Sequence, residues 1–124
     1  MRETAENTFN KKVKLIYEYN RTSPLFVRMA NSEIQDDNVE TAVSILLTGL
    51  DVYSDNPVAY LLLGKAYGLM GNYDKALGCF RKGSDILHSE ETYDYYMNEQ
   101  QLMRKQRSLF EATRGNSFFN ITYR

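Results

Sequence analysis

The sequence predicts an all-α chain built as a short array of helical hairpins. The first observation behind this is a self-similarity at 34 residues: Tyr60, Leu63, Gly64, Asn72, Ala76, Leu77, Phe80 and Gly83 repeat in kind Phe26, Met29, Ala30, Asn38, Ala42, Val43, Leu46 and Gly49. A shift that lines up apolar with apolar and small with small marks one supersecondary unit used twice. The second is punctuation, since Ser23-Pro24 and Asn56-Pro57 each set a capping side chain before a proline at a first helical position, where no amide hydrogen is needed. The third is spacing: Phe26, Met29 and Leu46, then Tyr60, Leu63, Tyr67 and Phe80, fall at the three-and-four interval of a buried helical stripe.

Six helices follow in order, at about 8–19, 24–35, 39–52, 57–70, 74–87 and 90–114. Val13, Ile16 and Tyr17 give the first an apolar stripe that can cover the open side of the first hairpin. The next four are the two hairpins. Small residues at Ala30, Gly64, Ala42, Ala76, Gly49 and Gly83 sit where helix backbones approach closely and where larger side chains would force them apart. Ser89 caps the sixth helix, with Glu90 and Glu91 in its first turn where the helix dipole favours carboxylates. That helix runs without Gly or Pro to Arg114, roughly 37 Å, longer than a hairpin helix needs. Gly115-Asn116 is expected to end it, and the apolar tail Ser117 to Arg124 either frays or docks in a groove, its own or a neighbour's. The resulting units are 1–22 as an N-terminal cap, 23–56 and 57–90 as repeats, 91–114 as a C-terminal cap and 115–124 as tail.

With 124 residues, 43% hydrophobic and 25% charged, the chain is expected to be one globular domain. No run of 18 apolar residues occurs and the polar opening Met1 to Asn10 is not a secretory signal, so a cytoplasmic protein is expected, without a membrane role. A net charge of −1 is not that of a dedicated nucleic-acid binder. Glu33, Asp36, Asp37, Glu40, Asp51 and Asp55 form an acidic middle between the basic clusters Lys11-Lys12 with Lys14 and Arg104-Lys105 with Arg107, a pattern that solvated helix faces explain.

The residues from Pro57 to Glu90 resemble a tetratricopeptide repeat (TPR): Tyr60, Leu63-Gly64, Tyr67, Ala76, Phe80 and Gly83 stand at the family's aromatic, Leu-Gly, Tyr, Ala, Phe and small positions. His88 departs from it, standing where the family has its closing proline. Ser23 to Asn56 is a more divergent copy. The resemblance implies a right-handed superhelical stack of two repeats plus flanking helices, and a protein or peptide as partner. Two repeats are fewer than the three or so that bury a continuous core, so the end helices or a second copy must complete the stack.

The resemblance further implies a concave surface formed by the first helix of each unit. Its candidates are Val27, Asn31, Ile34 and Gln35, then Val58, Leu61, Lys65 and Leu69, with Tyr93 and Tyr96 added by the last helix. Asn31 fits one position of the clamp with which some family members grip a C-terminal carboxylate, but Val27, Leu62, Thr92 and Tyr96 stand where its other polar groups would be, so the resemblance does not imply that clamp here. An amphipathic helix or extended apolar segment suits this groove better. The alternative use is self-association as a homodimer: Tyr95-Tyr96, Leu102-Met103 and Leu109-Phe110 recur every seven residues along the last helix, the spacing of a seam between two helices.

No catalysis, cofactor or metal is expected. The single His88 lies near a helix end, and Cys79, beside Phe80, has no base spaced to activate it. Gly64, Gly68 and Gly71 follow no strand, so they are not a phosphate loop.

Overall fold

The computed structural model describes residues 5–19 and 24–122, with side chains described for 8–15 and 24–112. Six helices follow one another: α1 (Ala5–Tyr19), α2 (Phe26–Gln35), α3 (Val39–Val52), α4 (Pro57–Leu69), α5 (Tyr73–Leu87) and α6 (Glu90–Thr122). Each packs on the next in sequence or pairs with it as a hairpin, and α2 also packs on α4. α4 therefore packs on both helices of the first hairpin, α2 and α3, as well as on its own partner α5. The chain is an all-α, TPR-like array.

Small residues and rings make the hairpins close. Phe26 is fully buried on α3 at Gly49, where a Cβ would stand 2.0 Å from the Phe26 Cδ2. In the second hairpin Leu61 and the Pro57 carbonyl lie against Gly83, the position matching Gly49, and Phe80 of α5 packs in the other direction against Gly64 of α4. Complete burial of such a ring is worth about 1.5–3 kcal/mol. The main core holds Val13, Phe26, Met29, Ala30, Ala42, Ile45, Leu46, Leu50, Ala59 and Leu63, so α1 contributes through Val13 and covers α2. The side chains of Ile16 and Tyr17, also expected in that stripe, lie outside the described residues. A second cluster of Leu61, Ala76 and Phe80 joins α4, α5 and α6.

Helix ends differ from expectation in two places. The repeats do not begin alike: Asn56 caps α4, its Oδ1 accepting from the Ala59 amide at 3.1 Å, whereas α2 begins at Phe26 after a Pro24-Leu25 turn, with no side-chain cap. Proline's fixed φ suits a turn as well as a first helical turn, and here Pro24 serves the turn. The second difference is α6, whose backbone passes Gly115-Asn116 without a break and reaches Thr122. One glycine in a helix costs only about 1 kcal/mol relative to alanine, too little by itself to end a helix. How the tail side chains dock lies outside the described residues.

The α5–α6 corner is built as expected. Ser89 Oγ accepts from the Thr92 amide at 3.2 Å, capping α6. Before it, His88 takes the left-handed conformation (φ 52°) that closes α5.

Candidate functional site

The candidate site is the face of α2 and α4, which α6, packed on α5, joins through the Gln100 and Met103 side chains at Gly68. α4 is buried on most sides because α2, α3, α5 and α6 surround it, leaving Val58, Lys65 and Leu69 as its exposed stripe at intervals of seven and four. On α2, Val27 and Ile34 are half-buried against the main core, Asn31 is half-buried and Gln35 is exposed.

Two expected groove residues are elsewhere. Leu61 is 7% exposed and packs between α4 and α5 against Gly83, so it is a core residue. Tyr93 packs behind, half-buried, with the Arg81 guanidinium 3.7 Å above its ring. The phase of α6 explains this. Gln100 is the most buried residue on its inner side, held under Gly68 and donating from Nε2 to the Tyr73 carbonyl at 3.3 Å. With Gln100 pointing inward, Tyr93, Tyr96 and Met103 follow it towards the body at three- and four-residue steps.

The same phase divides the three apolar pairs of α6. Tyr96 stacks on Phe80 with centroids 5.1 Å apart, and Met103 reaches Gly68 on α4. Tyr95, Leu102 and Leu109 point away from the body and are 61%, 56% and 57% exposed. Tyr95 meets Tyr96 edge-on at 5.2 Å. Phe110 shares the side of Met103 but lies past the start of α5, and is 64% exposed.

Between α4 and α6 this leaves two adjoining hollows that share Met103. The smaller, about 40 Å³, is lined by Lys65, Phe80, Tyr96, Glu99, Gln100 and Met103. The larger, about 380 Å³, opens between Gly68, Leu69, Tyr73, Met103, Gln106, Arg107 and Phe110. Its wall is largely apolar (Leu69, Met103 and Phe110), with a guanidinium at one end. Arg104 stacks over Tyr73 at 4.2 Å, fixing the α6 backbone over the start of α5. Glu99, Gln106 and Arg107 were not among the expected groove residues. Their position depends on the inward turn of the polar Gln100, which the hydrophobic pattern does not announce. The Gln100 Oε1 is buried without a hydrogen-bond partner.

Burial pushes the Cys79 thiol up to about 11, with Lys75 pulling weakly the other way. Among the described residues no group of three or more His, Cys, Asp or Glu could hold a metal ion, and no helix is long and apolar enough to cross a membrane. Glu33 is half-buried and the other acidic residues of the middle segment are exposed.

The fold and this face define a TPR-like helical array with an open inner surface. Over 33 residues, 27% of the chain, the sequence is 54% identical to a TPR repeat-containing protein of Methanocaldococcus jannaschii, and the chain spans about a tenth (10%) of that relative's length. No family model matches the chain, and no solved structure does.

Proposed function

We propose that this chain is a protein-interaction module that holds a peptide or protein segment on the face formed by α2, α4 and α6. The observation that carries the reading is the hollow of about 380 Å³ between α4 and α6, where Leu69, Met103 and Phe110 offer an apolar wall beside Arg107. That volume suits one large apolar side chain of a bound segment and its neighbouring backbone. Upstream, Lys65, Asn31 and Gln35 supply polar groups along the same face, so the segment would be anchored by an apolar residue and oriented by polar ones. The 33-residue likeness to a TPR repeat-containing protein supports a protein as the class of partner. The high pKa of Cys79 supports a non-catalytic role, because little thiolate exists near neutral pH.

The test is selection from a random peptide library displayed on phage, followed by titration of synthetic peptides. Selected peptides should share an apolar anchor. Leu69→Asp should weaken them about tenfold or more, as loss of a central anchor pocket does, while Leu47→Asp on α3 leaves binding unchanged. Peptides insensitive to Leu69→Asp and to Lys65→Glu would overturn the assignment of this face.

A further inference from the structure

Gln100 brings to the groove a buried acceptor that the fold leaves unpaired among the described residues. We infer, resting on the peptide-binding reading of this face, that Gln100 selects the anchor of the bound segment, and that this anchor is an aromatic side chain carrying a hydrogen-bond donor, tryptophan or tyrosine. Gln100 is 4% exposed and its Oε1 has no hydrogen-bond partner. The amide is oriented from its other end: Nε2 donates to the Tyr73 carbonyl, and a flipped amide would set one acceptor oxygen against another there. Oε1 is therefore held towards α4, 3.0 Å from the point that a Cβ of Gly68 would occupy. The Met103 Cε stands 3.4 Å from the same point. Gly68 and Met103 line the hollow of about 380 Å³, and Gln100 and Met103 line that of about 40 Å³, so the acceptor lies where the two adjoin, beside the Met103 thioether.

A buried acceptor left without a donor is costly, and a ligand that supplies the donor recovers that cost. Because Oε1 lies below the surface, an inserted side chain reaches it and the main chain of a segment lying across the face does not. The approach is walled by Leu69, Met103 and Phe110 with Tyr73, which favours a large apolar body. A cationic donor fits poorly. Lys65 and Arg107 each line a hollow and Arg104 stacks over Tyr73, whereas the nearby carboxylates are already engaged, Glu99 by Tyr95 and Glu111 by Arg107 at 3.8 Å. Such a charge would also be desolvated onto a single neutral oxygen. Serine and threonine carry a donor without the body, and aliphatic side chains carry the body without a donor. The tryptophan N–H and the tyrosine O–H combine the two. To admit the ring the Met103 side chain turns aside, which an unbranched thioether does readily, and its sulfur then packs against the ring.

The test takes the tightest phage-selected peptide, synthesised with tryptophan, benzothienylalanine, tyrosine or phenylalanine at its anchor, and titrates each form by calorimetry. Benzothienylalanine keeps the bicyclic body and puts sulfur in place of the N–H. The wild-type chain should prefer tryptophan to benzothienylalanine, or tyrosine to phenylalanine, by about tenfold, and the pair that shows the preference tells which ring the site takes. Gln100→Met, which removes the acceptor at similar length, should bring that ratio to about one while binding the phenylalanine peptide at least as tightly as wild type, a sign that the face is intact. Equal affinities within both pairs on the wild-type chain overturn the proposal, whether or not the variant folds. A ratio that survives Gln100→Met, or selection of aliphatic anchors alone, overturns it too. In these cases sensitivity to Leu69→Asp leaves the binding face standing, whereas insensitivity to Leu69→Asp, or no selected peptide at all, removes face and proposal together.

Discussion

Gly64 lies directly under the ring of Phe80: a Cβ at position 64 would stand 2.5 Å from Phe80 Cδ1 and 2.9 Å from the Ala76 carbonyl oxygen. One of these neighbours is a fully packed ring and the other is backbone, so neither yields cheaply. Gly64→Ala is expected to lower stability by about 2–3 kcal/mol, near the upper part of the range for overpacked cores. Gly78, in the same hairpin, is exposed with nothing near a new Cβ, and Gly78→Ala should add about 0.5–1 kcal/mol through helix propensity. Urea unfolding of the two variants should move the midpoint in opposite directions.

His88 closes α5 with φ 52°, a conformation that side chains with a Cβ adopt at a cost. His88→Gly relieves that cost, partly offset by the greater freedom of glycine in the unfolded chain. A gain of about 0.5–1 kcal/mol is expected, read as a higher thermal midpoint.

Cys79 should be slow to react. Its thiol titrates at about 11, so at pH 7.5 almost all of it is protonated. Alkylation by iodoacetamide should accelerate about tenfold for each pH unit between 7 and 10, because the thiolate is the nucleophile. A rate already level at pH 8 would show an activated thiol and reopen the question of chemistry at α5.

Arg81 ties α5 to α6 through two hydrogen bonds to the Glu90 carboxylate, at 2.7 and 3.0 Å. That partner holds the Glu90 pKa below the usual carboxylate value. A carboxylate with a lowered folded-state pKa contributes stability that is present above its unfolded pKa and is lost as pH falls through the folded one. The loss should therefore begin near pH 4.5 and continue below it. Both groups face solvent, so salt should weaken the effect. Glu90→Gln should flatten the acid limb of a stability–pH profile, and an unchanged slope would assign it to other carboxylates.

Much of this fold is legible in the sequence because its determinants are local. Ala30, Ala42, Ala76, Gly49, Gly64 and Gly83 are fixed by how near two helices of one hairpin must come, and all six are buried. Helix ends were less legible: Pro24 serves a turn as readily as a first helical turn, and Gly115 is carried within a long helix. The site was legible by helix and misread by face. Leu61 and Tyr93 have the residue type of groove anchors, but which side of α4 and α6 is open depends on how neighbouring helices surround them. For α6 that was decided by Gln100, a polar residue packed under Gly68, which no hydrophobic period marks.

The central claim is that the α2–α4–α6 face binds a segment of another protein. It is tested most directly by titrating the ¹⁵N-labelled chain with a library-selected peptide and following amide shifts. The largest changes are expected at Asn31, Lys65, Leu69, Met103 and Gln106, with α3 unmoved. Shifts concentrated on α3 and the back of α5, or a chain for which no peptide can be selected, would contradict it.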